Sequence, residues 1–116
     1  MIILLIIVLV IAALALVVWH DIHNFVVRKY EIRTDKLVGD LTMVLLADLH
    51  GYSYGSNNDR LIDAIDKIRP DAVLCAGDMF TAREIKGKVH TEQGEALLKN
   101  LASRYPVYMA SGNHEE

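Results

Sequence analysis

Only one cysteine, Cys75, occurs in the 116 residues, which excludes a disulfide scaffold and any cysteine-rich zinc site. Positive charge is not in excess either. Twelve basic residues stand against 15 acidic ones, for a net charge of −3, so no nucleic-acid partner is expected. Internal repeats are absent, and charged side chains are missing altogether from Met1 to Trp19. A hydrophobic share of 53% is too high for a disordered tail. The chain beyond Trp19 has room for one small domain and excludes two.

The run from Ile2 to Val18 is apolar on every helical face, which suits lipid or a fully buried helix. With Met1 and Trp19 it would rise roughly 28 Å, close to the hydrocarbon thickness of a bilayer. A single-pass membrane anchor over residues 1–20 is the expectation, with membrane contact through residues 2–19. The competing reading is a cleaved signal peptide, for which Ala13-Leu14-Ala15 supplies a small-x-small triplet. Against it, no Lys or Arg precedes the run, and more apolar residues come after the triplet before His20. Trp19 suits the headgroup level. Arg28, Lys29, Arg33 and Lys36 all lie after the run, a bias that favours a cytoplasmic C-terminal side, although a single span with a short N-terminus inserts either way.

Residues 21–40 read as a juxtamembrane connector, in which Tyr30-Glu31-Ile32-Arg33-Thr34 alternates as a short edge strand would. From Leu41 the pattern changes. Leu41 to Ala47 is a continuous apolar run, as expected for a strand covered on both faces. Gly51 to Asn58 reads as a loop. Leu61, Ile62, Ala64, Ile65 and Ile68 fall at helical spacing behind the cap candidates Asn57, Asn58 and Asp59, and Pro70 stops that helix. Ala72 to Ala76 is a second buried strand. After a polar stretch, Ala96, Leu97, Leu98 and Leu101 mark a second helix with Thr91 as its cap, and Val107 to Ala110 is a third strand. The order β-α-β-α-β with apolar strands predicts a parallel sheet with right-handed crossovers.

Each of these three strands runs into a polar cluster at its carboxyl end: Asp48-Leu49-His50-Gly51, then Gly77-Asp78, then Gly112-Asn113-His114-Glu115. In an open parallel sheet those ends form one edge, where ligands bind. Asp48, His50, Asp78, Asn113 and His114 are therefore expected to converge. Two carboxylates, an amide oxygen and imidazoles suit divalent Mn, Fe, Co or Zn, and the lack of thiolates argues against a structural zinc site. In Asp48-x-His50 both side chains would reach one ion if strand geometry persists. Gly77 and Gly112 suit sharp turns or close backbone approach. Asp78 has the two oxygens needed to bridge two cations.

Asp-x-His, then Gly-Asp, then Gly-Asn-His-Glu, each after a strand, resembles the signature of the calcineurin-like metallophosphoesterases over residues 41–116, and the preceding apolar segment resembles their membrane-anchored bacterial branch. The resemblance implies an α/β fold, with a transmembrane helix followed by the first β-α-β-α-β portion of a metallophosphoesterase sandwich. It also implies two divalent metal ions. Asp48 and His50 would bind the first, Asp78 would bridge both and Asn113 would bind the second. His114 would be the general acid for the leaving oxygen or a stabiliser of phosphoryl charge, with Glu115 orienting it. The implied reaction is hydrolysis of a phosphoester or pyrophosphate at the membrane surface, with a lipid-linked phosphoester a natural substrate for an anchored site.

Three further histidines that complete the metal shells in that family would come after Gly-Asn-His-Glu, and His20, His23 and His90 do not sit in such motifs. The 116 residues are thus expected to be the N-terminal part of a longer enzyme and inactive alone. The reading from another class is a non-catalytic truncated membrane protein whose partial sheet binds metal weakly or serves as a partner surface. Cys75, inside an apolar strand, reads as a small buried hydrophobe. Tyr52 and Tyr54 read as loop packing or as pocket lining. Arg83, Lys86 and Lys88 read as a solvated loop or a phosphate contact.

Overall fold

The computed structural model describes residues 1–79, 81–85 and 88–112, with the backbone alone for 81–85 and 88–90. It divides into two compact units, Met1–Ile32 and Arg33–Glu116.

The first unit is dominated by helix α1, Ile2–His23, none of whose residues is buried. A continuous helix satisfies its own backbone polar groups, which is what a lipid environment demands of a span. Its polar end is closed by its own side chains: His23 Nδ1 lies 2.7 Å from Trp19 O, and the Asn24 amide donates to His20 O at 2.7 Å. These bonds add second partners to carbonyls of the last turns, and the chain departs extended at Asn24 (φ −127°, ψ 149°). The expected edge strand at Tyr30–Thr34 does not form. Alternation stabilises a strand when one face is buried, whereas Tyr30 and Ile32 are 78% and 87% exposed.

The second unit is built on three parallel strands, β1 (Met43–Leu46), β2 (Ala72–Cys75) and β5 (Val107–Met109), in the order β1-β2-β5. Met43 pairs with Ala72, and Val73 with Val107. Helix α2, Asp59–Ile68, links β1 to β2, and helix α3, Glu92–Ala102, precedes β5. Helix α2 ends at Arg69 in the left-handed region (φ 54°), as the following Pro70 disfavours right-handed helix at that position. The β-α-β-α-β order is realised with one addition. Between β2 and α3 lies an antiparallel pair, β3 (Thr81–Ile85) and β4 (Lys88–His90), joining Ile85 to Lys88 in register. The stretch expected to be a polar loop thus carries two strands.

The helices supply the core. Leu61, Ile62 and Ile65 of α2 and Leu97 and Leu101 of α3 are buried together with Val73 and Cys75 of β2. The alternation along β2 assigns Val73 and Cys75 to the helix-covered face. Among the described residues, coverage on both faces, expected for the strands, is not observed: Leu45 is 67% and Tyr108 63% exposed. The strand order explains this. Two right-handed crossovers that advance across a sheet in one direction lay both helices on the same face.

Candidate metal centre

At the carboxyl edge the pairing of β1 with β2 continues past both strands. The Asp48 N–H donates to Gly77 O at 3.3 Å, His50 N–H to Asp78 O at 2.9 Å and Gly51 N–H to Met79 O at 3.0 Å. These bonds hold the two polar segments side by side and bend them. Asp48, His50 and Asp78 all adopt positive φ, at 56°, 49° and 53°. Asp and His tolerate that region better than most residues, yet three such positions cost stability. The bend brings the three side chains together by a route other than the strand geometry anticipated for Asp48-x-His50. Left-handed turns tethered to the neighbouring loop do it, because β1 has already ended at Leu46.

One potential ligand atom from each of Asp48, His50 and Asp78 lies within 4.8 Å of the others. Among the described residues this is the one such cluster of three or more His, Cys, Asp or Glu side chains. His50 Nε2 stands 3.8 Å from Asp48 Oδ1, with side chains 44% and 73% exposed. Neighbouring ligand atoms around an ion with bonds of about 2.1 Å lie about 3.0–3.4 Å apart, so closure of all three onto one cation needs the farthest pair to approach by no more than about 1.8 Å. The donor set, two carboxylates and an imidazole, matches divalent first-row metals. The residues present therefore fit a metal ion.

The end of β5 completes the edge. Gly77, at φ 100°, has no room for a side chain, since a Cβ would come within 2.9 Å of Gly112 Cα and N. A Cβ on Gly112 would in turn lie 2.5 Å from Asp78 Oδ1. Close approach of two glycines thus presses the third strand end onto the Asp78 carboxylate. Asn113, His114 and Glu115 lie outside the described residues. His20 and His23 belong to the last turn of α1. Cys75 is buried on β2, and burial pushes its thiol pKa up, away from nucleophilic thiolate.

Asn58 is a buried residue whose bonds within the loop after His50 the sequence pattern does not reveal. It stands at the N-cap of α2 without capping through its side chain. Fully buried, its Oδ1 instead accepts the Tyr54 N–H at 2.9 Å, and its own N–H donates to Ser53 Oγ at 3.0 Å. The one sequence signal for it is the pair Asn57-Asn58, both at positive φ, a conformation asparagine favours.

The model of the calcineurin-like phosphoesterases matches residues 41–116, two thirds of the chain and all of its parallel sheet. Searches of curated proteins and of solved structures returned no match. The matched span holds the Asp-His-Asp cluster, a donor set suited to the divalent metals on which hydrolysis in this family depends, and the chain belongs to the calcineurin-like phosphoesterase family.

Proposed function

We propose that the chain carries the N-terminal part of a two-metal phosphoesterase centre, held at a membrane by α1 as a single-pass anchor over residues 1–20, with residues 41–116 contributing the phosphoesterase domain. The observation that carries this reading is the convergence of Asp48, His50 and Asp78 within 4.8 Å. Asp48 and His50 would hold the first ion, Asp78 would offer its two oxygens to both, and Asn113 would serve the second. Bound divalent ions supply positive charge for the phosphoryl oxygens and acidify water.

The chain's own residues set the frame for that chemistry. The tethers from Asp48, His50 and Gly51 to the β2 loop fix the ligands before any ion arrives, which spares reorganisation at the moment of binding. Gly112 leaves Asp78 its position by lacking a side chain. His114 would give its proton to the leaving oxygen. Helix α1 is long and apolar enough to cross a bilayer, which supports the anchor and favours a phosphoester presented at the membrane, with a lipid-linked one as the natural case.

Binding of Mn²⁺ to the chain in nanodiscs, followed by calorimetry, tests the assignment. The wild type is expected to bind and Asp78→Asn to lose most of the affinity. Equal affinities for the two would remove Asp78 from the centre.

A further inference from the structure

Two aromatic rings stand in the segment that leaves His50. The Tyr52 N–H donates to Leu49 O at 2.9 Å, immediately after Gly51 is tethered to Met79. Tyr52 and Tyr54 meet edge to face, with ring centroids 4.8 Å apart and planes at 67°. Both are part-exposed. Two peptide units separate the Tyr52 Cα from that of His50, at most about 7.6 Å, so the loop that carries both rings starts at a ligand residue.

The loop behind the rings is cross-linked by side-chain hydrogen bonds. Asn58 fastens Tyr54 through its amide oxygen, Ser53 Oγ accepts from Asn58 N–H, and the Ser53 hydroxyl donates to Gly55 O at 2.8 Å. Joining β1 to α2 requires none of this. A locked pair of tyrosines next to a ligand residue is what ring recognition requires: large apolar faces, polar rims and little conformational freedom to lose. An edge-to-face pair also offers alternating ring edges and faces that a third flat ring can extend. An aliphatic chain would gain only contact area from it.

We infer that the Tyr52–Tyr54 loop is the leaving-group subsite of the phosphoesterase centre, selecting phosphoesters whose alcohol carries a flat ring, aryl or heterocyclic, close to the ester oxygen. The inference rests on the function proposed above.

Calorimetry of the chain in nanodiscs with Mn²⁺ tests it, using methyl phosphate and phenyl phosphate as the two probes. Phenyl phosphate is expected to bind about five- to tenfold more tightly. Tyr52→Leu and Tyr54→Leu should erase that margin while leaving methyl phosphate affinity unchanged, and the corresponding Phe variants should retain it. Methyl phosphate binding that depends on Asp78, with no preference for the phenyl ester or a preference that survives both Leu variants, overturns the subsite alone. Failure of the wild type to bind either probe removes the phosphoesterase reading and the subsite with it.

Discussion

Asp71 immediately precedes β2 and Asp78 comes three residues after it, so the same side chain can be compared at the two ends of one strand. At the amino end, Asp71 Oδ2 accepts the Thr42 N–H at 2.8 Å while Asp71 N–H donates to Thr42 O at 2.8 Å. That reciprocal pair fastens the start of β2 to the start of β1, and Asp71 is not among the residues at positive φ. At the carboxyl end, Asp78 sits at φ 53° and gathers with Asp48 and His50. One end uses its carboxylate to close a backbone. The other spends backbone strain to gather two carboxylates and an imidazole, a donor set suited to a divalent cation.

The comparison breaks if exchanging the two ends gives similar results. Asp78→Ala is expected to lower Mn²⁺ affinity at least about 100-fold, since even outer-shell losses reach that size. In Asp78→Asn, which keeps the tolerance for φ 53° that Ala lacks, metal-free stability should stay within about 0.5 kcal/mol of wild type, and in neither variant should added Mn²⁺ raise the Tm. Calorimetry and thermal melts with and without the ion read both quantities.

Gly112→Ala probes the same end without touching a ligand. The new Cβ would overlap Asp78 at its backbone N and Oδ1, so the carboxylate must swing away, and affinity should fall about tenfold with an overpacking cost of about 1–3 kcal/mol. Gly39→Ala is the control. Gly39 also has a positive φ, 97°, yet has nothing within 4 Å, so its variant should bind Mn²⁺ as the wild type does. A Gly112→Ala protein with unaltered affinity would show that the β5 end does not constrain Asp78.

Asp71→Ala sharpens the contrast from the amino end. Losing one acceptor for an exposed N–H should cost about 0.5–1.5 kcal/mol in urea unfolding and leave Mn²⁺ affinity unchanged.

The carboxyl edge is legible in the sequence because apolar runs that stop at Asp48, Gly77 and Gly112 mark strand ends, and parallel order brings strand ends together. How Asp48 and His50 reach Asp78 is not legible there. Their left-handed backbones are held by carbonyls of Gly77 and Asp78, roughly 30 residues away in sequence, and local pattern carries no record of such tethers. Coverage of the sheet escapes for a related reason. Leu45 and Leu74 look like two-sided core, but strand order decides which face the helices take. The β3–β4 pair is hidden by charge, as Thr81–Ile85 and Lys88–His90 lack clear alternation, and the two-residue spacing containing Gly87 is its one signal.

The smallest effect expected also belongs to the amino end, where Tyr105 leads into β5. Its hydroxyl donates to Asp66 Oδ1 at 2.6 Å, while Arg104 Nη1 pairs with Asp66 Oδ2. The bond to Asp66, followed by burial, holds the phenol's pKa above its usual 10.0, with Arg104 and Arg69 opposing. The folded chain therefore keeps this proton longer than the unfolded chain. Its stabilising share is whole below the unfolded value and is lost as pH rises through the folded one. Urea midpoints should fall more steeply as pH rises past the phenol's usual 10.0 in the wild type than in Tyr105→Phe, which has no phenol proton to lose. Asp66→Asn should flatten the same limb, because the charge that retains the proton is gone, whereas Asp78→Asn should leave it as in the wild type. An alkaline limb that responds to Asp78 and ignores Tyr105 would mean that the carboxylates at the metal edge also carry the fold, and the division between the two ends would not hold.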